Sequence, residues 1–178
     1  MKEANHFPVL IPLAALAFAA AHLAFEHFTG GVVSHHLLHR QDLPAISNWF
    51  GLITLPILGV VFGLRVRAHP NQAAWAGVPI HMLAAFLGAL IYGAMLAASF
   101  ELGATSISSA IFLGSFAFGL LFPVYRVEYI LGFVVGMTIT FGGVLPLFVA
   151  SVVAVVSFVF RYIFKKIAST IHQRNRFP

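Results

Sequence analysis

Cysteine is absent from all 178 residues, so the chain forms no disulfide, offers no thiolate to a metal and has no cysteine nucleophile. Charge is nearly as scarce. Ten Lys and Arg and five Asp and Glu amount to 8% of the residues, against 60% hydrophobic, and so small a polar complement cannot wrap a water-soluble domain of this size. Familiar catalytic signatures are missing as well. There is no Gly-x-Ser-x-Gly nucleophile elbow, no His-Glu-x-x-His zinc motif, no phosphate-binding loop and no pair of mid-span histidines suited to haem. With a mean hydropathy of +0.95, the chain reads as an integral membrane protein. Its formal charge of +5 comes from basic residues at span ends and in the C-terminal stretch, where they mark topology and lipid headgroup contact. Membrane lipid is therefore an expected partner and nucleic acid is not.

What is present is a series of apolar runs, the first of them about one bilayer thickness or roughly 20 residues long. Residues 8–28 form the first, ended by Thr29-Gly30-Gly31, where paired glycines free the backbone to turn. Ser34 then caps a short interfacial helix that stops before Pro44. A second span over 48–64 tolerates Pro56, with Trp49 as its interfacial anchor. The loop 65–77 leads to a third span at 79–100, a break at 101–106 and a fourth span at 107–122, closed by Pro123. The stretch 129–160 is too long for one straight crossing at ~1.5 Å per residue against a ~30 Å hydrocarbon core. Gly142, Gly143 and Pro146 divide it into 128–141 and 145–162.

The expected fold is one all-α membrane domain over 1–178, a polytopic helical bundle of six transmembrane helices plus the interfacial helix. A signal peptide is the rival reading of the first span. Lys2 and Ala19-Ala20-Ala21 make an Ala-x-Ala type site, and cleavage there would leave five spans. The apolar run continues past that site to Phe28, which favours retention. Six spans with both termini cytoplasmic put Arg65, Arg67, Arg161, Lys165, Lys166, Arg174 and Arg176 inside an inner or plasma membrane. The basic tail 161–178 is then cytoplasmic, while the His-rich loop 29–47 lies on the extracytoplasmic face with Glu26, Asp42 and Glu101.

Chemistry has to come from that loop and the helix before it. Five of the nine histidines are His22, His27, His35, His36 and His39, accompanied by Glu26 and Asp42. His22 and Glu26 stand at i, i+4 on one helix face, about four turns along the first span, where a polar side chain is costly and calls for a partner. An imidazole and a carboxylate can hold zinc, iron or manganese, with His27, His35, His36, His39 and Asp42 as the further ligand set. On the interfacial helix, His35, His39 and Asp42 would form one stripe. The plainer alternative is a hydrogen-bonded His22–Glu26 pair that merely holds helices together. Arg40 and Asn48 are candidates for an anionic headgroup, and His81 reads as structural. Gly132-x-x-x-Gly136, Ser115-x-x-x-Gly119 and Ala84-x-x-x-Gly88 read as close-packing faces, which would also permit a homo-oligomer.

The clustered histidines resemble the boxes of membrane fatty-acid hydroxylases and desaturases, which would imply a histidine-bound metal. Their order departs from the His-x-x-x-His and His-x-x-His-His boxes of those families, and the later boxes are lacking. Six short spans behind an Ala-rich first helix are also similar in outline to the substrate-binding components of vitamin transporters. Neither likeness rests on a specific motif, and no family is assigned. Three functions stay open. One is a metal-dependent membrane hydrolase or oxidoreductase acting on a lipid-like or small apolar substrate, with His22 and Glu26 as the catalytic pair. Another is a small transporter or substrate-binding subunit using the same groups for ions or solutes. The third is a structural or assembly protein.

Overall fold

The computed structural model of the chain describes residues 7–36, 42, 44–69, 73–75 and 77–174. Its helices are α1 (Phe7–Thr29), α2 (Gly51–Arg67), α3 (Ile80–Glu101), α4 (Thr105–Leu121), α5 (Val127–Phe141) and α6 (Val144–Arg174). The fold is thus all-helical, with boundaries close to those set by the glycine and proline breaks. Four stretches, Pro8–Thr29, Asn48–Arg67, Ile80–Glu101 and Val144–Thr170, are long and apolar enough to cross a membrane. The remaining two helices, α4 and α5, have 17 and 15 residues.

Successive helices reverse direction. Gly59 of α2 faces Pro12 and Ala15 of α1 while Gly63 faces Pro8, so the pair runs antiparallel. Gly132 and Gly136 of α5 face Phe86 and Leu90 of α3, and that pair runs parallel. Likewise Gly119 of α4 meets Val153 of α6, and Ser157 Oγ donates to Phe122 O (3.1 Å) just past the end of α4. One end of the bundle therefore gathers the ends of α2 and α4 and the starts of α1, α3 and α5. The other gathers Glu26, the start of α2, Glu101 and the α5–α6 junction.

Short α5 is the hub. Eight of its residues are buried, Val127, Glu128, Leu131, Gly132, Phe133, Val134, Met137 and Thr138, because α2, α3 and α6 surround it. A helix of 15 residues spans only about 22 Å at ~1.5 Å per residue, and a protein jacket removes the need to match lipid thickness. Its contact with α3 is unusually close. A Cβ on Gly93, Gly132 or Gly136 would overlap a backbone oxygen of the facing helix, respectively Phe133, Phe86 and Leu90. Bare glycine backbones permit this approach, the arrangement by which apolar helices associate when lipid removes the hydrophobic drive. Outward faces carry exposed large apolar side chains such as Leu13, Ile53, Ile57, Ile91, Leu113 and Val155.

One expectation needs correction, and two others gain detail. Residues 34–36 are not helical: they form β1 (Ser34–His36), paired antiparallel with β2 (Ala45–Ser47) in the register Ser34↔Ser47, His35↔Ile46, His36↔Ala45. Gly30 and Gly31, both at positive φ, swing the chain out of α1 in an extended direction, so the backbone groups of 34–36 are met by a second strand rather than by a helical turn. The His35, His39 and Asp42 stripe therefore does not exist as a helix face; His39 itself lies outside the described residues. Between α2 and α3, a second small hairpin pairs β3 (Ala73–Trp75) with β4 (Val78–Pro79). Finally, the helix expected to end near Tyr162 is continuous with the basic tail as far as Arg174, and a helical tail is one of the forms the sequence allows for it.

Replacing Gly132 by Val should lower stability by about 1–3 kcal/mol through forced separation of α3 and α5. Gly88→Ala, whose Cβ meets nothing within 4 Å, should leave it unchanged. Thermal unfolding of the detergent-solubilised protein compares the two.

Candidate functional site

At one end of the bundle a buried carboxylate organises the chain. Glu26 sits in the last turn of α1 with its residue only 8% exposed. Asn48, 4% exposed at the 3-10 turn Asn48–Phe50 that opens α2, donates from Nδ2 to Glu26 Oε1 (2.5 Å). The Val33 N–H donates to Oε2 (3.3 Å), so both carboxylate oxygens are answered. Backbone bonds lock the same residues: Gly31 N–H to Glu26 O (2.9 Å) closes α1, and Asn48 N–H to Val33 O (3.0 Å) ties the hairpin to α2. On the far side of Asn48 stands Gly142, at φ +67 between α5 and α6, where any Cβ would overlap Asn48 Oδ1. Four segments thus converge on one amide.

His22 Nε2 lies 3.3 Å from Glu26 Oε1 with both side chains buried. The ring nitrogen is near the carboxylate without being aligned for a hydrogen bond, and Nε2 is a buried atom lacking a hydrogen-bond partner among the described residues. The i, i+4 pair is thereby brought together as its spacing implies. The other proposed ligands are not gathered around it. His27 is exposed with its ring edge-on to Phe28, and His35 is half-buried at 6.1 Å from the Phe141 ring. His36 and Asp42 are exposed, and no group of three or more His, Asp or Glu among the described residues stands close enough to hold a metal ion.

The opposite end holds a second buried acid, which the sequence reading passed over. Glu128, 1% exposed in the first turn of α5, meets Arg65 of α2 with Oε2 2.9 Å from Nε. By distance this is an ion pair, although the N–H is not aligned for a hydrogen bond. Its only signal in the sequence was scarcity, an acid starting an apolar helix in a chain with five.

Between α3 and α4 the molecule is hollow. A cavity of about 550 Å³ runs along α3 from His81 past Ala84, Gly88 and Tyr92 to Met95, with Ser115 and Phe118 of α4 opposite. Ile130 and Phe133 of α5 and Ala150 and Val153 of α6 form its floor. At its rear, Tyr92 Oη donates to Ile111 O, and nearer the Glu101 end Ser108 Oγ donates to Ser99 Oγ (2.8 Å), so α3 and α4 are joined there and part elsewhere. Ala84-x-x-x-Gly88 is consequently no packing face. The Cβ position of Gly88 looks into open space, and His81, read from sequence as structural, lines the cavity.

The chain matches no family model, no curated protein and no solved structure. Function must therefore be read from these sites alone.

Asn48→Ala removes the donor to Glu26 Oε1 and should cost about 1–3 kcal/mol, visible as a lower thermal midpoint. Arg65→Ala strands the Glu128 carboxylate and should cost on the order of 3 kcal/mol, with Glu128→Gln in the same chain restoring part of the loss.

Proposed function

We propose that this is a polytopic membrane protein of six spans that binds a lipid-like or small apolar molecule in the cavity between α3 and α4. The observation carrying this reading is the cavity itself. Its volume falls within the roughly 300–1,000 Å³ of small-molecule sites, and its walls are apolar with a few polar groups, Tyr92, Ser115, Tyr129 and His81, at intervals. A molecule entering from the hydrocarbon layer meets a surface that matches it and pays no desolvation of charge. The alternating helix directions and the concentration of Arg65, Arg67, Arg126, Arg161, Lys165 and Lys166 at one end support six crossings with that end cytoplasmic. On that topology Glu26, Asp42 and Glu101 share the extracytoplasmic end.

The His22–Glu26 contact favours a second reading for the other end. A buried ring nitrogen with no hydrogen-bond partner beside a carboxylate is a start for a zinc, iron or manganese site, His22 Nε2 and Glu26 supplying two ligands. Further ligands would have to be water or residues outside the described set. Such an ion could polarise a substrate or activate water, which would make the protein an enzyme rather than a carrier.

Gly88→Leu places apolar bulk in the cavity at a position where a Cβ meets nothing within 4 Å, so the purified variant is expected to fold and to retain less copurifying lipid-like material by mass spectrometry of extracts. Equal retention by wild type and variant would remove the cavity reading. For the second reading, less than about one metal ion per chain in detergent-purified protein, unaffected by His22→Ala, removes the metal. Because the native chain has no cysteine, single substitutions test sidedness directly: Ser34→Cys should react with an impermeant maleimide from outside intact cells, and Lys166→Cys only after lysis.

A further inference from the structure

We infer that the occupant of the α3–α4 cavity is an electrically neutral, single-chain amphiphile, its hydroxyl or carbonyl head at the His81–Tyr129 end and its hydrocarbon along α3. This rests on the reading that the cavity takes a lipid-like molecule and adds the charge, the head chemistry and the direction of that molecule. From His81 to Met95 the cavity follows α3 for about 21 Å at ~1.5 Å per residue, and its volume of about 550 Å³ spread over that length makes a narrow slot. One chain lying along α3 fits that shape; a compact solute does not. Toward the Glu101 end α3 and α4 are tied together by Tyr92 on Ile111 O and by Ser108 on Ser99 Oγ, so the slot closes there.

No Asp, Glu, Lys or Arg is among the described side chains that line the slot. A charged head drawn inside would leave water without meeting a counter-charge, a cost that a neutral head avoids. Hydrogen bonding then gives the direction. In the body of the slot the hydroxyl protons are already taken up by the protein, Tyr92 Oη donating to Ile111 O and Ser115 Oγ to Phe112 O (2.6 Å). The walls around them, Ala84, Gly88, Ile91 and Met95, ask only for hydrocarbon. At the opposite end neither His81 nor Tyr129 makes a side-chain hydrogen bond among the described residues. The register of α3 on α5 brings these two to one level. Gly132 faces Phe86 and Gly136 faces Leu90, so Tyr129, a turn before Gly132, stands beside the first turn of α3, which carries His81. His81 is exposed and Tyr129 half-buried, so the pair runs from the mouth inward. A phenol and an imidazole can each donate or accept, and a neutral oxygen head satisfies both.

The experiment uses the full-length protein, delipidated, held in an amphipol and titrated with monooleoylglycerol, a prenyl quinone, octadecene, or the oleoyl lysophospholipids with glycerol (anionic) and choline (zwitterionic) heads, with bound ligand counted by native mass spectrometry. Monooleoylglycerol or the quinone is expected to bind about tenfold more tightly than either lysophospholipid, and the tighter of the two names the source of the head, acyl ester or quinone. Tyr129→Phe and His81→Phe should each weaken that ligand about fivefold while leaving octadecene as it was. Gly88→Leu, with an unchanged thermal midpoint, should weaken every ligand. A lysophospholipid bound as tightly as the better neutral ligand overturns the neutral head and leaves the cavity reading intact. An affinity that neither Tyr129→Phe nor His81→Phe moves overturns the direction and again leaves the cavity. Failure of every ligand to bind, or binding kept in full by a folded Gly88→Leu variant, overturns the cavity reading together with this one.

Discussion

A carboxylate buried in an apolar bundle must be met by donors, because neither lipid nor packed side chains will solvate it. Among the described residues two are buried, and both are met from α2 or the turn that opens it. Glu26 at the end of α1 takes its shortest bond from Asn48 at the entrance to α2, and Glu128 at the start of α5 faces Arg65 near the α2 exit. The helix is thereby fixed at both ends, to α1 at one and to α5 at the other. The two ends of α5 accordingly both face α2, Glu128 at Arg65 and Gly142 at Asn48 just ahead of it.

With α5 held by polar contacts, the rest follows from small side chains. Glycines at 93, 132 and 136 let α3 and α5 meet backbone to backbone, and this brings α3 inward around the shortest helix. On the α4 side no such match exists. Tyr92 and the Ser99–Ser108 bond hold α3 and α4 together, while Ala84 and Gly88 face a gap that α4 does not fill. The hollow is a consequence of tight packing on one side of α3 and tethering on the other.

The two ends differ chemically, and each suits a different role. Around Glu26 the described polar groups are paired with one another, apart from the ring nitrogen of His22 and, beside Gly143, the hydroxyl of Thr54. That makes the cluster first of all a clamp, one whose carboxylate would have to exchange partners before it could bind anything else. At the other end the cations outnumber Glu128, the one buried carboxylate there among the described residues, and the apolar cavity is lined by none of them.

How much of this could be read along the chain differs from feature to feature. Helix boundaries other than the C-terminal end of α6 were legible to within a few residues because Gly, Pro and charge interrupt otherwise continuous apolar runs. The His22–Glu26 contact was legible because i, i+4 spacing fixes neighbours on any helix. The strand at 34–36 was not, since three residues carry no period and its conformation depends on pairing with 45–47. Arg65 and Glu128 are far apart in sequence, and nothing local marks them as partners. Most telling are Ala84-x-x-x-Gly88 and Gly132-x-x-x-Gly136, which have the same pattern and opposite fates. By itself the sequence determined the helices and their apolar character, which depend on neighbours within a turn or two. Whether a small-residue face becomes a contact or a cavity was decided only by the tertiary structure, because a missing side chain leaves space that only another helix can fill or leave open.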